Sequence, residues 1–271
     1  MKVIVSHDVD ELYISDHFKD LIIPKFQFRS FLFFIEKRIN FMTFIYRFFY
    51  IFESRIHRIP EIINIDKEYN IPSVFFFGMN NGLGMSYSHK KARPWIEYVK
   101  NKGFDIGVHG LNYKDKKSMK KEFDDFISLS GMQSFGIRNH YVRYNEETFS
   151  KQAEIGYLFD TSYFNKEKVE LKRPYKIGSM WEFPLYIMDV YLDKYKETTL
   201  NEMESYTISI INRARVEGLD YFTLLFHDSH FCGKKYPLYY EYYIWFVKYC
   251  KENNIEFISY RDAIKELNNE K

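Results

Sequence analysis

A chain of 271 residues with 39 basic and 37 acidic side chains carries a formal charge of +2, and 20% of it is aromatic. So many aromatic rings exclude disorder, and the balanced charge offers no concentrated basic footprint for nucleic acid. Two cysteines, Cys232 and Cys250, lie outside any CxxC pair, which excludes a disulfide framework and points to a reduced, intracellular setting.

The start of the chain, MKVIVSHDVD, predicts a first strand over Val3 to Ser6 that opens onto His7-Asp8-Val9-Asp10. Its apolar run is too short for a signal peptide, so a cytoplasmic protein is expected. From about residue 13 to 59 runs an aromatic, basic stretch that reads as one or two amphipathic helices. Glu36, Lys37, Arg38 and Arg47 interrupt it, so it does not span a bilayer. A helix follows from Pro60 (PEIINIDKEYN), then a strand over Val74 to Phe77. Pro94 and Gly103 bracket the next helix as expected of its two ends. Phe104 to Val108 is a strand delivering His109-Gly110. Further strands are expected at Phe135 to Arg138, Leu158 to Ser162, Met180 to Leu185, Phe222 to Phe226 and Glu256 to Ser259. Thr199-Leu200-Asn201-Glu202 is a capping box; behind it Met203, Tyr206, Ile210 and Ala214 share a face until Gly218 stops the helix.

Strands alternating with helices predict an α/β chain built from βαβ units with a mainly parallel sheet. Without a Gly-rich dinucleotide loop, a barrel is favoured over a doubly wound sheet. No linker or repeat divides the chain, so residues 1–271 are expected to form one domain with a helical insertion after strand one.

Polar residues gather at the strand ends: Asp8 and Asp10, His109, Arg138 and His140, Glu182, and His227. In a barrel these converge on one rim. Two carboxylates and three imidazoles there provide ligands for a divalent metal, with a base and an acid besides. His7 points to the opposite strand face from Asp8 and reads as structural. His17, His57 and His89 have no partner pattern. His230 either lines the rim with His227 or belongs to an ordinary loop, and Cys232 lacks a second thiol.

This ordered set resembles the polysaccharide deacetylases, the carbohydrate esterase family 4 with the NodB-homology fold. The resemblance runs from Lys2 to about Tyr260, apart from the insertion. It implies a distorted (β/α)7-type barrel and a metal-dependent hydrolase that removes an N-acetyl or related acyl group from an amino sugar. SHDVD supplies Asp8 as catalytic base and Asp10 as metal ligand, and DIGVHG supplies His109 as a second ligand. Arg138 of FGIRNHY holds the base, GYLFDTSYF carries Asp160 and Ser162, and His227 of LFH is the general acid. The backbone N–H near Tyr141 is implied as an oxyanion donor. The family's second metal histidine is here Tyr113, so His140 is the expected third ligand, with Asn112 a weaker choice. Trp181-Glu182-Phe183-Pro184 stands nearest to the fourth motif, with Trp181 or Phe183 as a pocket wall and Glu182 as partner to an imidazole. Zn²⁺ is the metal implied first, with Co²⁺, Ni²⁺ or Mn²⁺ as alternatives.

Divergent members of this look belong to surface-polysaccharide biosynthesis, which implies a nucleotide- or lipid-linked amino sugar as substrate. The basic, aromatic residues 29–55 suggest peripheral contact with the inner face of a membrane. Two other readings stand beside this one. A haloacid-dehalogenase-like phosphatase would use Asp8 and Asp10, but wants a later acidic pair, and the chain has no Gly-Asp dipeptide. A catalytically inactive carbohydrate-binding barrel would account for Tyr113.

Overall fold

Side chains alternate along a strand, so a single residue's parity decides whether it meets the helices or the concave side of the sheet. The computed structural model describes residues 1–192 and 199–269. Its strands are β1 (Lys2–Val9), β2 (Val74–Gly78), β3 (Asp105–Gly110), β4 (Ile137–Asn139), β5 (Phe159–Asp160), β6 (Tyr175–Ile177), β7 (Met180–Glu182), β8 (Ile187–Met188) and β9 (Tyr221–His227). They form one sheet in the order β6-β7-β5-β4-β3-β2-β1-β9-β8. Every pairing is parallel except the β6–β7 hairpin.

The helices are α1 (Ile22–Ile35), α2 (Phe41–Phe48), α3 (Ile59–Glu68), α4 (His89–Asn101), α5 (Lys116–Ser130), α6 (Thr148–Ile155), α7 (Asp189–Leu192), α8 (Leu200–Val216), α9 (Pro237–Glu252) and α10 (Tyr260–Asn269). One face of the sheet sends Val3, Val5, Phe75, Ile106 and Phe222 against a helical layer that includes Ile62, Ile96, Phe126, Ile210 and Tyr242. The other face gathers Ile4, Phe76, Phe159, Phe183 and Tyr221 around Tyr260 and Ile264 of α10. Glycine makes this second face possible. A Cβ on Gly107 would stand 2.6 Å from the Phe76 ring, and one on Gly136 would meet the Phe159 ring. The architecture is the NodB-like (β/α) barrel, a curled, mainly parallel sheet wrapped by helices.

Several boundaries differ from the sequence expectation. Glu256 to Ser259 forms only a single bridge, Phe257 to Val3, because α10 begins at Tyr260. The stretch expected as one strand from Met180 stops at Glu182. Pro184 has no N–H to give, its carbonyl accepts from the Thr223 hydroxyl, and the chain crosses to the far edge as β8. Helix α4 begins at His89 after an extended Ser88, so Pro94 lies inside it, at the cost of one backbone bond. The Thr199–Glu202 capping box is present. On α8, however, Tyr206 turns outward, and Thr207 takes the buried place beside Met203, Ile210 and Ala214.

Candidate active site

Register brings the strand-end residues together. On β1 and β9, Asp8 is the direct partner of His227; on β3 and β4, His109 is the partner of Arg138. Asp8 shares its face with Ile4, and His109 shares its face with Gly107, so both point to the concave side. His7 takes the opposite face, where its Nε2 lies 3.2 Å from Asp66 and its Nδ1 3.1 Å from the Phe226 carbonyl, a structural residue as expected.

Arg138 is fully buried. It donates to Asp8 Oδ1 at 3.1 Å, to the Thr161 carbonyl and hydroxyl, and to Tyr260 Oη, with its guanidinium 4.8 Å from the centre of the Phe76 ring. These bonds fix both the arginine and the carboxylate it holds.

Two residues on, Asp10 Oδ1 lies 3.0 Å from His109 Nε2 and 3.4 Å from His140 Nδ1, and the two ring nitrogens face each other at 3.0 Å. Each imidazole has its second nitrogen on a backbone carbonyl. His109 Nδ1 meets Arg138 O at 3.0 Å, and His140 Nε2 meets Leu83 O at 3.1 Å. A carbonyl only accepts, so those nitrogens carry the protons and the opposite lone pairs converge on Asp10. Asp10 Oδ1 is buried without a hydrogen-bond donor of good geometry. Two nitrogen lone pairs and a carboxylate oxygen aimed at one point are the donor set of a divalent transition metal. The residues therefore fit the cation that the resemblance implies.

His140 reaches this point because of its loop. Tyr141 (φ 57°) and Val142 (φ 47°) are both left-handed, a costly conformation for a β-branched residue, and they turn the chain sharply after His140. Facing it, Gly82, Leu83 and Gly84 all have positive φ and push out the Leu83 carbonyl, which also accepts from Tyr141 Oη at 3.1 Å. Tyr113 and Asn112 do not join the cluster. Tyr113 packs against the helical layer, and Asn112 gives its amide to Glu122 at 2.7 Å.

His227 lies on the other side of Asp10, its Nε2 3.8 Å from Oδ2. Its partner is Asp189, whose Oδ1 lies 2.6 Å from Nδ1 and whose Oδ2 accepts from the His227 backbone N–H at 2.9 Å. His230 Nδ1 shares the same carboxylate at 2.8 Å. Burial opposes a charged imidazole, but Asp189, with Asp10 and Asp8 beyond it, raises His227 to about 10. At neutral pH the ring is a proton donor. Asp189 itself is held far below the carboxylate range by the two imidazoles despite its burial.

Glu182, expected as the imidazole's partner, is elsewhere. It is fully buried, accepts from the Tyr163 N–H at 3.0 Å, and is pushed well above the carboxylate range by burial and by Asp160. Trp181 packs in the concave core, and neither side chain lines the cavity at Asp8 and Asp10. Asp160 instead braces the site. It accepts from Ser162, whose Oγ accepts the Asn139 N–H at 2.7 Å, between Arg138 and His140.

Asp189 and the Leu83 carbonyl are what the sequence reading missed. Asp189 carried a signal, since it ends the short apolar run Leu185 to Met188 as the other site residues end theirs. The carbonyl carried only the Gly-Leu-Gly triplet. His230 belongs to the rim. Asp8, Asp10, His140, Tyr141, His227 and His230 line a cavity of about 400 Å³, and Glu11, raised to about 7 by burial, also borders it.

No known family pattern matches the chain, and no curated protein matches it by sequence. Solved structures do. A protein described as a polysaccharide deacetylase from Mycobacterium smegmatis superposes with a TM-score of 0.63 at 15% identity, covering 99% of this chain and 90% of its own. An allantoinase matches at 0.59 and 12% identity, over 96% and 87% of the two chains. A protein from Pseudomonas aeruginosa PAO1, also assigned as a polysaccharide deacetylase, matches at 0.57 and 11%, over 96% and 88%. The chain has the fold of these proteins.

Proposed function

We propose that this chain is a metal-dependent hydrolase that removes an N-acetyl or related acyl group from an amino sugar. The observation that carries the reading is the pair of backbone carbonyls that aim the lone pairs of His109 and His140 at Asp10. A phosphatase of the haloacid-dehalogenase kind has no use for such imidazoles, and the chain has no Gly-Asp dipeptide of the kind that carries its later acidic pair.

Asp10, His109 and His140 would hold the cation, and a donor set of two imidazoles and one carboxylate suits Zn²⁺, with Co²⁺, Ni²⁺ or Mn²⁺ as substitutes. A bound divalent cation supplies Lewis acidity, polarising the acyl carbonyl and making a water easier to deprotonate. Asp8 takes the water's proton. Arg138 donates to Asp8 Oδ1 at 3.1 Å and so holds the carboxylate in place for that step. As the carbonyl carbon becomes tetrahedral, its oxygen gains charge, and the Tyr141 N–H, carried on the left-handed turn, is the backbone donor offered to it. His227 then gives its proton to the departing nitrogen while Asp189 holds the imidazole upright. The C–N bond breaks, and acetate and a free amine leave.

The finer reading places the reaction in surface-polysaccharide biosynthesis, on a sugar still attached to a nucleotide or a lipid carrier. The decisive experiment is acetate release from a panel of nucleotide- and lipid-linked N-acetyl sugars by metal-loaded protein. Release abolished by chelation and restored by Zn²⁺ is the expected result. A purified protein that takes up no metal and releases no acetate points instead to a carbohydrate-binding barrel.

A further inference from the structure

Residues 18–52 pack onto the barrel with their amphipathy inverted. On α2 the polar Thr43 and Arg47 face inward, while Phe41, Met42 and Phe48 face solvent. Arg47 Nε donates to the Lys235 carbonyl at 2.8 Å, its guanidinium 4.9 Å from the Tyr236 ring centre. On α1 the outward stripe is Phe28, Phe31, Leu32 and Ile35, spaced for one helix face, and Phe49, Ile51 and Phe52 extend it past α2. Phe52 is 74% exposed. Of the 17 large hydrophobic residues exposed among the described residues, 13 fall between Phe18 and Phe52. A soluble surface rarely gathers so much apolar area in one patch.

The fold holds this hairpin firmly. Phe34 stacks on Phe44 at 4.9 Å, Gln27 donates to the Arg47 carbonyl at 3.0 Å, and Lys235 reaches Glu53 at 3.0 Å over the Tyr50 ring. Charge accompanies the apolar face. Between residues 18 and 52 there are six basic and two acidic side chains, a larger positive excess than the +2 of the whole chain. Lys19, Lys25, Arg29 and Lys37 are among the exposed ones. No helix among the described residues is long and apolar enough to cross a membrane. The inner side of α1 continues into the candidate site, since Ile22, Ile23, Phe26 and Arg29 line the same cavity as Asp8 and His227.

From this we infer that the α1–α2 hairpin is an interfacial anchor that lies in an anionic lipid surface and sets the mouth of the cavity against it. The sugar reacting at Asp8 and His227 is then one carried on a lipid, a substrate assignment that rests on the proposed hydrolase reading. The apolar stripe enters the headgroup boundary, the lysines and arginines meet lipid phosphates, and α1 leads from that surface into the site. A second copy of the chain as the covering partner would put its own positive hairpin against this one, with like charges opposed.

Flotation of the full chain on phosphatidylcholine vesicles, with and without phosphatidylglycerol, tests the anchor without reference to catalysis. The chain should float with phosphatidylglycerol vesicles at low salt, less at physiological salt, and weakly with phosphatidylcholine alone. Changing Phe31, Phe48 and Phe52 together to Asp should lower partitioning at least tenfold while hydrolysis of a water-soluble N-acetyl sugar is unchanged. Lys25→Glu with Lys37→Glu should lower it on anionic vesicles only, by about fivefold or more for each basic residue lost. If the aromatic variant does not fold, hydrogen exchange of the wild-type chain replaces it, and residues 22–52 should gain protection when vesicles are added. The inference is overturned if the chain stays out of both vesicle fractions, if the variants float like wild type, or if these faces are covered in a dimer that ignores vesicles. Flotation without acetate release would reject the hydrolase reading and keep the anchor; release without flotation would do the reverse.

Discussion

Asp8 and Asp10 sit two residues apart at the end of β1, and their neighbours give them different work. Asp8 is bonded to a fully buried arginine, and Asp10 faces two imidazole lone pairs. Asp10→Ala and His109→Ala should each remove most of the bound metal, read by elemental analysis, together with the activity. His140→Ala should weaken metal binding; unchanged metal content with reduced turnover would make it a substrate contact. Asp8→Asn should keep the metal and lose ~10²–10⁴-fold in turnover, the usual worth of a general base, and a loss under about tenfold would reject that role. His227→Ala should cost more on an amide than on an activated ester, whose leaving group needs no proton. Asp189 adds a pH signature. With its carboxylate in place His227 stays protonated to about 10, so turnover falls only as that proton is lost at high pH. Asp189→Asn withdraws the charge that raises this pKa, and the alkaline limb of the rate profile should move down toward neutrality. An unmoved limb would mean that His227 is not the acid.

At the scale of elements, the site depends on how short segments are bent and how the hairpin joins the barrel. The left-handed pair Tyr141–Val142 and the Gly82–Gly84 turn together present His140 and its carbonyl partner, although neither segment is a helix or a strand. His57 lies where the insertion returns to α3, fully buried, with its ring 3.9 Å from Trp95. Burial, with Arg55 and Arg58 nearby, lowers its pKa to about 3. In the unfolded chain it titrates near ~6.5. The folded state therefore binds fewer protons than the unfolded one between those values, and stability held above pH 6.5 is lost as the pH falls. The loss is roughly 2 kcal/mol by pH 5. His57→Phe keeps a ring on Trp95 and removes the proton. Urea midpoints at pH 7.5 and pH 5 should then lie closer together in the variant than in the wild type. Equal pH shifts in both would show that His57 does not carry this term.

For the molecule as a whole, the concave core sets the limits. The Phe76 and Phe159 rings fill space that only glycine leaves on the neighbouring strands, and Arg138 rests on one of those rings while Tyr260 stacks on the other at 4.3 Å. Packing and site orientation are therefore one structure. Gly136→Ala should cost about 3 kcal/mol, read as a lower melting temperature. It should also disturb activity out of proportion, because Phe159 underlies the Tyr260 contact to Arg138. A variant as stable as wild type would show that the core yields more easily than this packing suggests.

The strands, their βαβ rhythm and the residues Asp8, Asp10, His109, Arg138 and His227 were legible in the sequence, because short continuous apolar runs, buried on both faces of the sheet, and the polar residues that end them are local properties of the chain. His140 was legible as a candidate through Tyr113, which removed the expected ligand. Trp181 and Glu182 misled. A WEFP run looks the same whether it faces the cavity or the core, and only the crossing of the chain at Pro184 to the far edge of the sheet decided that it faces the core. The same crossing carries Asp189 to His227, two residues 38 positions apart whose pairing no local pattern encodes. The hairpin divides in the same way. Its composition announced an amphipathic surface, but which side of each helix faces out was set by Arg47 reaching the Lys235 carbonyl from 188 residues away. Apolar runs and composition act between near neighbours and can be read along the chain; registers, crossings and buried partners act between distant segments, and only the folded arrangement brings them together.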